Sequence, residues 1–223
     1  MHELVFFIDV DNTLIHNDHV KENLDQHLQA EIGETLTRRF WEIYEQVRIE
    51  QSVVNIPATL QRLRAETPES TLDTQTYQHV HSIFDNYPFT RELYPQVLET
   101  LRYLRTLGLP VIVSDGDQYF QAEKIVNSNL ADAVEGRVLI YIHKQQHLAE
   151  IQQAYPAEHY TMIDDKLQIL VDSKAILGKK LTTVFVKQGK YAQDQIHTNF
   201  SPTISVEHIG DLQSFSKEQF LQS

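Results

Sequence analysis

The chain has 223 residues, 41% hydrophobic and 22% charged, so it is long and apolar enough to bury a substantial core. Its formal net charge of -12 repels nucleic acids and anionic membranes at long range. The absence of cysteine excludes disulfides, zinc–thiolate sites and a thiol nucleophile. No basic segment precedes the first apolar run, and no apolar run approaches a membrane span. We therefore expect a cytoplasmic protein without a nucleic-acid or membrane partner.

The first predicted element is a buried strand. Residues 4–10 (LVFFIDV) are β-branched or aromatic and apolar on both faces, which is typical of a central strand in a parallel sheet. From about residue 20 to residue 81 the apolar residues follow helical spacing, with a loop predicted at residues 67–70 (TPES). We therefore expect a helical insert over residues 16–90.

Strands and helices alternate through the rest of the chain. Apolar, β-prone runs predict strands at residues 110–114, 137–142, 160–163, 181–186 and 203–206. Helical patterns cover residues 94–107, 118–130, 144–154 and 215–221. This alternation predicts an α/β fold with a doubly wound, Rossmann-like parallel sheet. Residues 1–15 and 91–223 would form this core.

Carboxylates follow two of the predicted strands. Asp9 and Asp11 end the first strand, and Asp164 and Asp165 end the strand at residues 160–163. Ligands of such sheets bind at the carboxyl ends of the strands. Several carboxylates at one sheet edge repel each other and need a cation, and oxygen ligands suit Mg²⁺. The sequence therefore predicts a magnesium site at this edge.

Groups suited to an anion accompany these acids. The Ser114 hydroxyl and the backbone amides near Gly116 are candidates to hold anionic oxygens, and Lys144 supplies a positive charge. A metal ion, hydrogen-bond donors and a cation together fit phosphoryl transfer, in which catalysis depends on orientation and charge neutralisation.

Four motifs resemble the signatures of the haloacid dehalogenase-like superfamily. Residues 9–14 (DVDNTL) resemble its D-x-D-x-T motif, and residues 111–116 (VIVSDG) its second motif, an apolar strand followed by Ser or Thr. Lys144 resembles its lysine, and residues 162–165 (MIDD) its acidic motif in the paired-Asp form. The resemblance covers the whole chain and is more specific for the superfamily than for a substrate.

The resemblance implies a phosphatase mechanism. Asp9 would attack phosphorus and form an aspartyl-phosphate, and Asp11 would act as general acid and then as general base. Asp9, the backbone carbonyl of Asp11, Asp165 and Asp164 would hold Mg²⁺. Lys144 would pair with Asp9, with Lys124 as an alternative lysine on the helix after the second strand.

Further roles follow for the residues that surround the phosphate. Ser114 would bind a phosphate oxygen, Thr13 would fix the loop geometry next to the substrate, and Asp115 and Gly116 would border the substrate. Asp115 stands where many members have Asn, and Asp117 adds another carboxylate. Extra negative charge next to a phosphate is unfavourable unless the side chain points away or is protonated.

The helical insert resembles a cap that closes over the active site. A cap excludes water and implies a small phosphorylated metabolite as substrate. One of Arg38, Arg39 and Arg48 is a candidate partner for a second anionic group on that substrate, although surface charges are the simpler interpretation.

Several functions remain open at the level of sequence. Asp11 favours a phosphatase over a dehalogenase of the same superfamily, which generally lacks an acid at this position. A phosphosugar mutase keeps both acids, and a non-catalytic binding protein on the same fold is a further alternative. The sequence leaves the oligomeric state open, a homodimer included.

Overall fold

The computed structural model describes residues 1–193 and 200–222. One sheet of six parallel strands has the order β3-β2-β1-β4-β5-β6. The strands are β1 His2–Ile8, β2 Leu109–Asp115, β3 Val138–Tyr141, β4 Ala157–Asp164, β5 Leu181–Val186 and β6 Ile204–Val206. This is the strand order of the doubly wound Rossmann fold, so the predicted fold class is confirmed.

The helices lie between these strands. They are α1 Asn17–Gln51, α2 Ile56–Glu66, α3 Thr74–Asp85, α4 Val97–Leu107, α5 Phe120–Asn127, α6 Leu130–Ala133, α7 Leu148–Ala154, α8 Leu167–Leu177 and α9 Lys217–Phe220. The helix predicted over residues 118–130 is wrong as one element, because Asn129 adopts a left-handed conformation that separates α5 from α6. The predicted helix over residues 144–154 begins with a 3-10 turn instead, and sequence periodicity missed α8.

The central strand β1 is buried on both faces. Phe6 packs into the apolar layer on one side of the sheet and Phe7 into the layer on the other, as alternating side chains of a strand do. Ile8 pairs with Ile112 of β2 and with Ile163 of β4. The carboxyl ends of these three strands are therefore level, which brings the residues that follow them to one edge of the sheet.

Helix α1 folds back on itself at Gly33. Gly33 has φ 72° and ψ 166°, a backbone conformation that is essentially restricted to glycine. The indole N–H of Trp41 donates to Asp25 Oδ1 at 2.7 Å. In a straight helix these residues would lie about 24 Å apart along the axis, so this contact requires the two halves of α1 to form a hairpin.

The helical segment leaves and rejoins the rest of the chain at adjacent points. Ile15 and Leu93 form an antiparallel bridge, and the His16 N–H donates to the Glu92 carbonyl at 2.8 Å. Helices α1, α2 and α3 all lie between these points. The division into a cap at residues 16–90 and a core at residues 1–15 and 91–223 stays a prediction, and residues 194–199 and 223 of that core are outside the described part. None of the described helices has the length and apolar character required to cross a membrane.

Candidate active site

Three buried carboxylates meet at the carboxyl ends of β1 and β4. One oxygen from each of Asp9, Asp164 and Asp165 lies within 4.8 Å of the others. Neither carboxylate oxygen of Asp165 has a hydrogen-bond partner among the described residues. Burial and the charges of Asp164 and Asp9 raise the pKa of Asp165 to about 9. A buried, unpartnered carboxylate beside two others is the chemistry of a cation site, and three carboxylates fit an oxygen-ligated ion such as Mg²⁺.

Lys144 provides the positive charge inside this cluster. Its ammonium contacts Asp9 Oδ1, and it lies 2.7 Å from Asp164 Oδ2. Burial opposes protonation of this lysine, but the charges of Asp164 and Asp9 raise the pKa of Lys144 overall, so it stays charged. Asp9 is the candidate nucleophile, and the structure therefore brings Lys144, and not Lys124, to it.

Lys124 instead pairs with Asp11. Its ammonium donates to Asp11 Oδ1 at 2.7 Å and to Asn17 Oδ1, at the start of α1, at 3.1 Å. Burial raises the pKa of Asp11, but the charge and the hydrogen bond of Lys124 lower it. Overall the pKa of Asp11 lies below its ordinary value. The side chain of Asp11 is not one of the three clustered carboxylates, so its backbone carbonyl remains the candidate metal ligand.

Ser114 lies near the end of β2, and its hydroxyl is free to donate a hydrogen bond. Gln121 Nε2 donates to Ser114 Oγ at 2.9 Å, which leaves the hydroxyl proton available for an anionic oxygen. At Gly116, an added Cβ would lie 2.9 Å from the Gln121 Cβ, so glycine permits this close approach. Gln121 is a site residue that the sequence analysis did not select.

The remaining predicted residues each make a hydrogen bond within the protein. The buried Thr13 hydroxyl donates to Asp9 Oδ2 at 3.3 Å, so it contacts the candidate nucleophile rather than the cleft. Asp115 Oδ1 accepts the backbone N–H of Lys144 at 2.7 Å, and Asp117 accepts the N–H groups of Tyr119 and Phe120. Each extra carboxylate thus accepts hydrogen bonds from backbone donors, and both residues line the cleft that Asp11 also lines.

A cleft of about 420 Å³ lies between the sheet edge and helix α1. Asp11, Asp115 and Gly116 line it on the side of the sheet edge, and Trp41 and Tyr44 line it on the side of α1. Its volume is in the range of small-molecule sites. Five basic side chains also line it: Lys21, Arg48, Lys124, Lys166 and Lys190.

The arginines proposed for a second anion are only partly suited to that role. Arg48 lines the cleft but pairs with Glu45 at 2.6 Å, and Arg39 pairs with Glu42 and Glu66. Arg38 does not line the cleft. Lys166 and Lys190 were not predicted from the sequence. Lys166 directly follows the paired aspartates, whereas no local pattern distinguishes Lys190, which lies in the loop after β5.

Comparisons with known proteins identify the family of this chain. The model of the haloacid dehalogenase-like hydrolase family matches residues 4–176. A protein from Burkholderia xenovorans LB400, assigned as a haloacid dehalogenase-like hydrolase, is 44% identical with a TM-score of 0.88, over 98% of this chain and 99% of that one.

Two more distant structures share the fold. A haloacid dehalogenase-like family hydrolase from Xanthomonas campestris is 16% identical with a TM-score of 0.68, over 98% of this chain and 91% of that one. A 2-haloacid dehalogenase from Pseudomonas syringae pv. tomato DC3000 is 16% identical with a TM-score of 0.62, over 95% and 96%. Among the curated proteins compared, none matches this sequence. The family match and the 44% identical structure show that the chain belongs to the haloacid dehalogenase-like hydrolases.

Proposed function

We propose that this hydrolase is a Mg²⁺-dependent phosphatase that cleaves a small phosphorylated metabolite through an aspartyl-phosphate on Asp9. The observation that carries the proposal is the buried cluster of Asp9, Asp164 and Asp165 around Lys144, with Asp11 two residues after the nucleophile. The cytoplasmic location and the absence of nucleic-acid and membrane partners stay predictions from the sequence.

The two carboxylates of the first motif have different environments and different roles. Asp9 is held by Lys144 on Oδ1 and by the Thr13 hydroxyl on Oδ2. Its carboxylate attacks phosphorus, forms the aspartyl-phosphate and releases the alcohol. Asp11 gives a proton to the leaving oxygen, and as a carboxylate it then takes a proton from the water that attacks the phosphorus. Lys124 favours the ionised form, which the second step needs.

The surrounding groups bind the phosphate and the metal. The Ser114 hydroxyl donates to one phosphate oxygen, and Lys144 offsets negative charge at Asp9. Asp9, Asp164 and Asp165, with the backbone carbonyl of Asp11, would hold Mg²⁺. When bound, this ion neutralises the carboxylates and polarises the phosphoryl group.

Asp11 favours phosphate-ester cleavage over dehalogenation. A leaving halide needs no proton, whereas a leaving alkoxide does, and Asp11 lines the cleft next to the nucleophile. The 2-haloacid dehalogenases among the similar structures are about 15–16% identical and support the fold alone. A phosphosugar mutase would be recognised by isomerisation of a sugar phosphate when a sugar bisphosphate is added.

The test is hydrolysis of 4-nitrophenyl phosphate and of a panel of phosphorylated metabolites, with Mg²⁺ or with EDTA. We expect activity that requires Mg²⁺ and is lost in Asp9→Asn. Asp132→Asn removes one exposed carboxylate on α6 and should keep full activity. Activity of Asp9→Asn equal to that of the wild type, or a wild type that hydrolyses none of these esters, would contradict the proposal.

A further inference from the structure

Lys21 is a cation inside the cleft for which the described part of the chain provides no carboxylate partner. It lies on the first half of α1, half-buried, with its ammonium 5.1 Å from the centre of the Tyr44 ring. Within residues 1–193 and 200–222, no carboxylate oxygen lies within 4.0 Å of this ammonium, whereas Arg48 and Lys124 of the same cleft both have one. Burying an unpaired charge costs free energy, so an anion that enters the cleft would stabilise Lys21.

A second lysine faces the same space from the loop after β5. The Lys190 backbone N–H donates to Asp18 Oδ2 at 2.9 Å, which fixes this loop against α1. Its ammonium is 3.7 Å from Asp18 Oδ1, at the far limit of an ion pair, and more than half of the side chain is exposed. Burial and the like charge of Lys190 lower the pKa of Lys21. Two ammonium groups thus face one cavity, an arrangement that an anion would stabilise.

Lys190 is linked to the catalytic end of the cleft through one aromatic ring. The ammonium groups of Lys166 and Lys190 lie 4.9 Å and 5.1 Å from the centre of the Tyr191 ring, so they are within about 10 Å of each other. Lys166 directly follows Asp165 of the acidic cluster. Lys166 and Lys190 therefore extend positive charge from the residue after the acidic cluster toward α1, and the distance between their ammonium groups is one that a short carbon chain with an anion at each end can bridge.

We propose that Lys21 and Lys190 form a second anion subsite, so that the substrate is a short phosphate monoester with a further anionic group, a carboxylate or a second phosphate. The proposal rests on the proposed function, because it takes the phosphate to bind at Asp9. It assigns to two lysines the role that the sequence analysis considered for the cap arginines.

Binding of non-hydrolysable probes tests the subsite without turnover. In the presence of Mg²⁺, calorimetry would compare 3-phosphonopropionate and propane-1,3-bisphosphonate with propylphosphonate, which has one anionic group. We expect the wild type to bind at least one doubly anionic probe about 10-fold or more tightly than propylphosphonate. The stronger of the two identifies the second group as carboxylate or phosphate.

Matched lysine variants assign the preference to these residues. We expect Lys21→Met and Lys190→Met to reduce it and Lys21→Arg to retain it. Lys179→Met removes an exposed lysine outside the cleft and should leave it unchanged. No preference in the wild type, or the same preference in Lys21→Met, overturns the subsite. If the subsite fails this test but the wild type hydrolyses 4-nitrophenyl phosphate, the phosphatase proposal still stands. If the wild type neither hydrolyses this ester nor binds the phosphonates, both the subsite and the phosphatase proposal are contradicted.

Discussion

Asp165 should reduce the stability of the metal-free protein. Burial and two neighbouring carboxylates raise its pKa from 3.8 to about 9. A carboxyl group whose pKa is raised on folding makes its full favourable contribution to the free energy of unfolding below about pH 4. That contribution is lost progressively as the pH rises from about 4 to about 9. Because pH 7 lies about three units above the ordinary pKa and still below the raised one, the free energy of unfolding at pH 7 is lowered by on the order of 4 kcal/mol.

The perturbation that tests this is Asp165→Asn. Neither oxygen of Asp165 accepts a hydrogen bond from the described residues, so the amide removes the ionisable group without losing such a bond. In EDTA at pH 7 we expect the variant to be more stable than the wild type by up to about 4 kcal/mol, a shift of more than about 1 M in the urea midpoint. With Mg²⁺ the wild type should gain stability and the variant should gain less, because it has lost a charged ligand.

Urea unfolding followed by circular dichroism at several pH values measures these differences. In EDTA the wild type should lose stability between pH 4 and pH 9 more steeply than the variant. Asp132→Asn is the matched control, because removing an exposed carboxylate should change the free energy of unfolding by less than about 0.5 kcal/mol. The reasoning is refuted if Asp165→Asn is the less stable protein in EDTA, or if Mg²⁺ stabilises it as much as the wild type.

Three further predictions concern catalysis and the α1 hairpin. Asp11→Asn should lower kcat about 10²- to 10⁴-fold on an alkyl phosphate and less on 4-nitrophenyl phosphate, whose leaving group needs little protonation; equal losses would argue against proton transfer by Asp11. Lys124→Met removes the charge that lowers the pKa of Asp11, so the acid-side midpoint of the kcat–pH profile should move to higher pH, and an unmoved profile would refute that coupling. Gly33→Ala should lower the free energy of unfolding by about 1–3 kcal/mol through backbone strain alone, because no atom lies within 4 Å of the added Cβ; urea unfolding measures the loss, and a neutral result would contradict it.

The parallel sheet and the order of its strands along the chain could be predicted from the sequence. Parallel strands buried on both faces form continuous apolar runs, so β1, β2 and β5 are evident without a structure. Carboxylates directly after such runs had to meet at one edge, because Ile8, Ile112 and Ile163 are in register.

Helix boundaries and cleft residues were less accessible to sequence reasoning. Left-handed residues such as Gln96 and Asn129 shift or interrupt helices, although their side chains do not require that conformation. The contact of Lys21 with the Tyr44 ring and the pairing of Lys124 with Asp11 join segments that are distant in sequence, and a local pattern does not contain such contacts. The sequence left Lys144 and Lys124 as alternatives for the same reason, and only tertiary contacts separate them.

The adjacent exit and re-entry of the chain at Ile15 and Leu93 separates the acidic cluster from the helical side of the cleft. The acidic cluster, Lys144 and Ser114 all come from sequence outside the intervening helices, whereas Lys21 and Tyr44 come from within them. The two connections are joined by backbone hydrogen bonds, so residues of the helical segment can change while the strands that carry the nucleophile keep their register. The helical lining of the cleft can therefore be replaced as one continuous stretch of sequence, while the residues of the acidic cluster stay the same.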